Sequence, residues 1–153
     1  SKGLGAPVGS LVLGSAAFIR QARRTRKILG GGMRQAGVLA AAGHYALQHH
    51  VRRLAEDHAN LHTLASGLRA VGESHPVLRG RITVHPWQTN ILFTDVQADV
   101  APAFTAWLAQ HQIRVTSSLY GGQSRLRWVT HLDVNAADVQ AALDCVARFT
   151  LPG

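Results

Sequence analysis

The sequence contains one cysteine and no long apolar run, and both shortages exclude classes of protein. Cys145 is the only cysteine among 153 residues, which rules out an intramolecular disulfide and a paired-cysteine metal site. Its place in the last helical pattern indicates a small, buried hydrophobic side chain. The longest nearly apolar run, residues 36–43, is too short to cross a bilayer, and no basic segment leads into an apolar one at the N-terminus. We therefore expect a soluble, cytoplasmic protein with no membrane partner.

Acidic residues are also scarce, since eight Asp and Glu oppose sixteen Lys and Arg and leave a formal net charge of +8. Such a charge would suit a polyanionic partner such as nucleic acid. However, the densest basic cluster, residues 20–27, has no interleaved aromatic residues for base stacking, and no helix-turn-helix, zinc-finger or RNP pattern occurs. We therefore expect no nucleic-acid partner and interpret the cluster as a solvated basic face with a few anion-binding arginines.

The sequence begins with a glycine-rich loop that carries a single lysine. Residues 1–10, SKGLGAPVGS, contain three glycines, one proline and one titratable side chain, Lys2. Glycine and proline restrict such a loop to tight turns, and the apolar residues 8–13 predict a buried strand that leaves it. Burial at a sheet edge would favour the neutral amine, which attacks aldehydes and forms a Schiff base with pyridoxal 5′-phosphate (PLP). The alternative is a solvated residue near a chain end.

A helix over residues 16–28 is predicted to follow the strand. Ser15 is expected to cap it, because its hydroxyl can accept a hydrogen bond from an otherwise unpaired backbone amide. Phe18, Ile19, Ala22 and Ile28 should face protein while the arginines face solvent or a ligand. The three glycines at 30–32 should end the helix and form a loop that lets backbone amides approach another group closely.

Residues 35 to about 71 are predicted to be helical almost throughout, with Arg34 at the start, where the helix dipole favours an anion. An apolar stripe recurs at steps of three and four: Leu47, Val51, Leu54, His58, Leu61, Leu64, Leu68 and Val71. Gly43, Gly67 and residues 56–57 are candidate breaks. The elements become shorter after this segment, so we divide the chain into two parts, 1–72 and 73–153.

The same segment holds most of the histidines, and His58 and His62 have the i, i+4 spacing of a metal-binding pair. A third ligand is lacking, because no HExxH pattern and no nearby cysteine supplies one. We therefore expect packing and surface roles and no metal.

Residues 73–153 are predicted to form a small α/β domain with a largely antiparallel sheet covered on one face by helices. Strands are expected over 81–84, 90–96, 113–117 and 125–130, and helices over 100–112 and 135–149. Asp99 should cap the first of these helices. Asn135 and Asp138 have the spacing of a capping box at the second, and Gly121 and Gly122 should form the turn between the last two strands.

Alternation along the last strand separates its side chains between the two faces of the sheet. Arg125, Arg127 and His131 are expected on one face, and Leu126 and Trp128 on the other. A planar guanidinium binds a carboxylate through two parallel hydrogen bonds, although an arginine on a strand is more often simply solvent-facing.

Three phrases in this order resemble the low-specificity L-threonine aldolases, which are PLP enzymes of the aspartate aminotransferase fold type (fold type I). The phrases are SKGLGAPVGS at 1–10, GGGMRQAG at 30–37 and RWVTHLDV at 127–134. The resemblance covers essentially the whole chain but only the C-terminal half of the family's subunit. It implies the end of the large PLP-binding domain, a long linking helix and a small C-terminal α/β domain.

The resemblance also implies roles for individual residues. Lys2 matches the lysine that binds PLP covalently, and Arg127 matches the arginine that binds the substrate carboxylate, while Arg125 could share that task. Arg34 and Lys27 match basic residues near the cofactor phosphate or the active-site mouth, of the same or a neighbouring subunit. Asn90 and His131 match family phrases, but no role follows for either.

A carbon-carbon lyase reaction is implied for the complete subunit: cleavage of L-threonine, L-allo-threonine and related β-hydroxy-α-amino acids to glycine and an aldehyde. The chain starts without a methionine and lacks the family's phosphate-binding turn, stacking histidine and ring-facing aspartate. We therefore expect a proteolytic product, a split chain or a part of a longer polypeptide, inactive alone. Its expected partners are the N-terminal half and further copies in a dimer or tetramer.

Two alternatives remain open on the sequence. Another PLP enzyme of the same fold type, an aminotransferase or a β-eliminating lyase, would use the same lysine and arginine. A noncatalytic basic module that binds nucleic acid would account for the charge alone.

Overall fold

The structure is a computed structural model that describes residues 2–151. Among them it contains five α-helices and four β-strands. The chain divides into two compact units, Ser1–Arg53 and Leu54–Gly153. The sequence-based boundary lies between residues 72 and 73. That boundary refers to the complete subunit, and the domain assignment stays a prediction.

The first unit consists of a short 3₁₀ helix, Lys2–Leu4, and the helices α1 (Ala16–Ile28) and α2 (Gly37–His49). The Ser15 hydroxyl caps α1 by accepting a hydrogen bond from the Phe18 amide at 3.3 Å, as predicted. The helix ends before the glycines, where Gly30 has a φ of 79°. Local sequence therefore determines both ends of α1.

The predicted strand over residues 8–13 is wrong for this chain. These residues have no regular secondary structure, and Leu11 and Leu13 are 78% and 86% exposed. A strand requires a neighbouring strand for its backbone hydrogen bonds, and all the strands of the described residues belong to the second unit. The apolar run is therefore present without a partner.

Helix α1 is equally short of partners. None of its residues is buried, and Phe18 and Ile28, which were expected to face protein, are 50% and 72% exposed. In the whole first unit Ala46 is the one described hydrophobic residue that is buried. So small a buried apolar surface cannot stabilise a folded unit by itself.

The long helix predicted from residue 35 is divided in two. Helix α2 ends at His49, and α3 (Leu54–Ser74) begins after a turn, so the break lies at 50–53 and not at either expected glycine. Arg34 lies in a turn before α2 and does not start the helix. The apolar stripe is buried only in α3, through Leu61, Leu64 and Leu68. Leu47 and Val51, which precede the break, are about half exposed.

The second unit contains four strands and three helices. These are α3, β1 (Ile82–Val84), β2 (Ile91–Val96), α4 (Ala101–Gln110), β3 (Thr116–Tyr120), β4 (Gln123–Val129) and α5 (Ala136–Ala147). The strand order is β1-β2-β4-β3, and every neighbouring pair is antiparallel. The predicted antiparallel sheet is therefore confirmed, with β3 three residues later than expected.

The helix caps in this unit are predicted with mixed success. Asn135 and Asp138 form the expected capping box at the start of α5. Asp99 does not cap α4, since Val100 occupies the cap position without a side-chain hydrogen bond. The Asp99 carboxylate instead lies 3.4 Å from Arg81. Acidic residues near a helix start have competing partners that the sequence pattern cannot rank.

Alternation along β4 separates the core from the outer face of the sheet. Leu126, Trp128 and Thr130 are buried, whereas Arg127 is exposed, as predicted. Leu126 and Trp128 join Leu61 and Leu68 of α3, Phe104 of α4 and Val146 of α5 in one hydrophobic cluster. The helices therefore cover the inner face of the sheet, and Arg127 lies on the opposite face.

Polar groups within this core are paired. The Trp128 indole N–H donates to the Thr94 hydroxyl at 3.0 Å, and the Thr130 hydroxyl donates to the Asp57 carbonyl at 2.6 Å. Among residues 2–151, no buried side-chain nitrogen or oxygen lacks a hydrogen-bond partner. Removing only one partner of such a bond destabilises the fold, because the other partner stays buried without a hydrogen bond.

We predict that Thr94→Val lowers the free energy of unfolding by about 1–3 kcal/mol, because it leaves the buried Trp128 N–H without an acceptor. Tryptophan fluorescence in urea reports this unit, since Trp87, Trp107 and Trp128 all lie in it. Thr83→Val, at an exposed position of β1, is the matched control and should change stability by less than about 0.5 kcal/mol. Equal effects of the two substitutions would contradict the prediction.

Candidate functional site

The lysine loop is tightly turned, in agreement with its glycine content. Lys2 has a φ of 62°, unusual for a residue with a side chain, and Gly5 has a φ of 71°. The Gly5 amide donates to the Lys2 carbonyl at 2.9 Å and closes the turn. The Lys2 side chain is exposed and forms no ion pair with any described residue. The loop therefore presents a free amine on a constrained backbone.

A histidine from the end of α2 contacts this loop. The Nδ1 atom of His50 lies 2.6 Å from the carbonyl oxygen of Leu4, the last residue of the 3₁₀ helix. The ring of Tyr45 stands edge-on to the His50 ring at 5.5 Å between centroids. The two partners are 46 positions apart and no local pattern links them, so the sequence does not predict this contact.

Lys27 and Arg34 lie at the end of α1 and in the loop that follows it. Both side chains are exposed and neither forms an ion pair with a described residue. Between them, a Cβ at Gly31 would come within 2.9 Å of the Arg26 carbonyl oxygen, whereas Gly30 and Gly32 have no atom near that position. Only the middle glycine is required by packing within the chain, and the space beside Gly30 and Gly32 is not filled by other described residues.

Arg127 lies on the outer face of β4, between Phe93 of β2 and Thr116 of β3. Its side chain is exposed and makes no hydrogen bond or ion pair with the rest of residues 2–151. Its planar set of donors is therefore available for a carboxylate.

Arg125, the alternative carboxylate ligand, is already paired. Its Nε atom lies 2.7 Å from Asp95 Oδ1 and its Nη2 atom 2.8 Å from Asp95 Oδ2, a bidentate ion pair across two strands. His85 Nε2 is 2.7 Å from the same Oδ2, and the Tyr120 ring centroid is 3.9 Å from the Arg125 guanidinium carbon. Arg125 is thus committed within the sheet, and Arg127 is the arginine left free.

Asp95 and His85 were not predicted as partners of Arg125, although the alternation of β2 indicates which face Asp95 occupies. Alternation along β2 puts Asp95 on the outer face, but its pairing with Arg125 depends on the register between β2 and β4. Hydrogen bonds from Arg125 first, and then from His85, lower the pKa of Asp95 to about 2, against its burial, which would raise it. The ion pair in turn raises the pKa of Arg125.

Asn90 and His131, which had no assigned role, have structural ones. The Asn90 side-chain amide donates to the Thr130 carbonyl at 2.8 Å, and the Thr130 amide donates to the Asn90 carbonyl at 3.1 Å. These bonds join the start of β2 to the end of β4. His131 Nδ1 accepts a hydrogen bond from the Asp133 amide at 3.2 Å.

The remaining chemical candidates are structural too. Cys145 is buried, as expected, and burial raises the pKa of its thiol. His62 packs edge-on against Trp87 at 5.7 Å between ring centroids, and His58 is exposed. No group of three His, Cys, Asp or Glu side chains within residues 2–151 is arranged to hold a metal ion. None of the described helices combines the length and the apolar character needed to cross a bilayer.

Comparisons with known proteins agree with the resemblance seen in the sequence. The model of the beta-eliminating lyase family matches residues 1–99. The chain is 42% identical over 151 residues to a probable low-specificity L-threonine aldolase 2 of Arabidopsis thaliana, covering 97% of the chain and 40% of the relative. It is 44% identical over 135 residues to a low specificity L-threonine aldolase of Escherichia coli O157:H7, covering 88% and 36%. The chain thus spans about 40% of the length of these relatives.

The fold is found among solved structures. The crystal structure of 8-amino-7-oxononanoate synthase from Francisella tularensis superimposes with a TM-score of 0.61 at 18% identity, over 88% of this chain and 39% of that one. The expected fold class, the C-terminal part of a PLP fold type I subunit, is confirmed.

The Asp95 ion pair generates a pH-dependent prediction. A carboxyl group with a lowered folded-state pKa contributes stability above its unfolded value of 3.8, and this contribution is lost as the pH falls toward about 2. The unfolding free energy of the wild type should decrease between pH 6 and pH 2.5. In Asp95→Asn this decrease should be smaller by on the order of 1–2 kcal/mol. Urea unfolding across this range measures it. Asp99→Asn, at a more exposed pair, is the control, and equal slopes in wild type and Asp95→Asn would refute the prediction.

Proposed function

Because the chain belongs to the beta-eliminating lyase family, we propose that the complete protein is a PLP-dependent aldolase, a carbon-carbon lyase. Its substrates would be L-threonine, L-allo-threonine and related β-hydroxy-α-amino acids, and its products glycine and an aldehyde. The names of the relatives support this reaction. The observation that carries it in this chain is the unpaired Arg127, two positions from an Arg125 that already forms a bidentate ion pair with Asp95.

The residues present fit PLP by their chemistry. The cofactor combines an aldehyde with an anionic phosphate, and the first unit offers an exposed amine on Lys2 and exposed cations on Lys27 and Arg34. Lys2 would hold the aldehyde end, and Arg34, with Lys27, would lie near the phosphate or the active-site mouth. When bound, PLP supplies a ring that stores the electron pair released as the Cα–Cβ bond breaks.

Arg127 would bind and orient the amino acid. Two parallel hydrogen bonds to the carboxylate restrict rotation of the substrate, and this restriction decides which bond at Cα is aligned for cleavage. Lys2 would displace the product when it holds the aldehyde end of the cofactor again. We assign no described residue to the β-hydroxyl proton and propose that its acceptor lies in the N-terminal part of the subunit.

The exposed apolar surface of the first unit supports a partner for it. Leu11, Leu13, Ile28 and Leu29 are each more than 70% exposed, and surface of this kind in a soluble enzyme is normally covered. We propose that residues 1–72 pack against the N-terminal part of the same subunit, completing its large domain, while 73–153 form the small domain. We further propose that the complete protein forms a homodimer or homotetramer in the cytoplasm.

Arg127→Lys in the complete protein should lower kcat/KM for L-threonine by about 10- to 100-fold, because lysine keeps the charge but loses the two parallel hydrogen bonds. Steady-state kinetics with acetaldehyde detection measure this. Arg114→Lys, at an exposed position outside the strands, is the matched control and should retain wild-type kinetics. Unchanged kcat/KM in Arg127→Lys would remove Arg127 from carboxylate binding.

Lys2→Ala should abolish turnover of L-threonine while leaving the far-ultraviolet circular dichroism unchanged, since the exposed side chain contributes no packing. Product analysis of the wild-type protein also separates the alternatives. Glycine and acetaldehyde are expected, whereas a keto acid as the main product would replace the aldolase by an aminotransferase or a β-eliminating lyase.

A further inference from the structure

We infer that His50 is a positioning residue that sets the orientation of Lys2 by holding the carbonyl of Leu4. The inference rests on the proposed function of Lys2. It concerns a histidine that contacts neither the cofactor nor the substrate in the proposal, so its role is exerted through the loop.

The hydrogen bond fixes the state of the histidine ring. A carbonyl oxygen only accepts, so the Nδ1 atom of His50, 2.6 Å away, must carry the proton and donate it. The backbone amide of His50 itself donates to the Ala46 carbonyl at 2.8 Å, as the C-cap of α2. The side chain therefore connects the loop to a residue anchored at a helix end.

The loop has few other attachments. Among the described residues, the His50–Leu4 bond is the one hydrogen bond that links residues 2–14 to another part of the first unit. The Gly5 bond to the Lys2 carbonyl acts only inside the turn. No residue of the 3₁₀ helix is buried. Packing within this chain therefore does little to hold the loop, and the histidine supplies a large share of the constraint.

The backbone at Lys2 requires such a constraint. A lysine at φ 62° occupies a conformation that costs roughly 1 kcal/mol or more relative to the ordinary regions. Without an external contact, the turn is free to relax to a negative φ, which redirects the side chain. A reacting group displaced by about 1 Å loses roughly 100-fold in rate, so the direction of the amine is a catalytic variable.

The neighbouring histidine provides a matched control. His49 belongs to the same helix end and stacks on Tyr45 at 4.3 Å between ring centroids, closer than His50. It is exposed and forms no hydrogen bond with the lysine loop. A role that depends on imidazole chemistry or on packing against Tyr45 would involve both residues, whereas a role in positioning the loop involves His50 alone.

The test uses the complete protein with His50→Leu, which keeps side-chain volume but removes the donor, and His50→Asn, whose Nδ2 can replace Nδ1 as a donor. In the absence of PLP, deuterium exchange of the Gly5 amide, whose hydrogen bond to the Lys2 carbonyl closes the turn, should be at least threefold faster in His50→Leu. With PLP, kcat for L-threonine should fall by about 10- to 100-fold, with KM changed less than threefold. His50→Asn should recover most of both losses, and His49→Leu should match wild type.

The possible results separate the inference from the proposed function. Mass spectrometry after borohydride reduction identifies whether PLP is attached at Lys2. Wild-type attachment together with unchanged exchange and unchanged kcat in His50→Leu overturns the inference alone. Failure of His50→Asn to recover kcat, when His50→Leu has lost it, also overturns it. No PLP on Lys2 of the wild-type protein overturns the proposed function, and the inference with it.

Discussion

The chain buries nearly all of its apolar side chains in one of its two units, and this constraint governs the rest of the structure. Among residues 2–151, eighteen of the nineteen buried hydrophobic residues lie in the second unit, where three helices cover the inner face of the sheet. Hydrophobic burial is the dominant favourable contribution to folding, so the second unit is stabilised by its own core. The first unit has formed its helices but lacks a core. Its large apolar side chains, such as Leu11, Leu13 and Ile28, are therefore left exposed.

The distribution of charge follows the same division. Residues 1–53 contain nine Lys and Arg and no Asp or Glu, so all eight acidic residues lie in the second unit. There, Asp95 pairs with Arg125 and Asp99 with Arg81, and the carboxylates neutralise cations of the sheet and its edges. The first unit has no internal carboxylate to neutralise its cations. A unit of this composition is suited to an anionic group, and it carries Lys2, Lys27 and Arg34, the residues proposed to hold one.

The sequence was informative where structure depends on neighbouring residues. The Ser15 cap, the Asn135–Asp138 capping box and the alternation of β4 each involve groups within a few positions of one another, so a pattern encodes them directly. The failures depend on distant or absent partners. A strand over 8–13 needs a neighbouring strand, and the contact between His50 and Leu4 joins residues 46 positions apart. The break at 50–53 also escaped prediction, because the glycines inside both helices were the stronger local signal.

Arg125 and Arg127 show how tertiary structure decides between residues that a pattern cannot separate. Alternation places both on the same face of β4, and both are arginines with the same donors. The antiparallel register then sets Asp95 opposite Arg125 and Phe93 opposite Arg127. A carboxylate occupies the first guanidinium, whereas an aromatic ring, which accepts no strong hydrogen bond, leaves the second one available. Which arginine keeps its donors available is therefore determined by residues on another strand, thirty or more positions away.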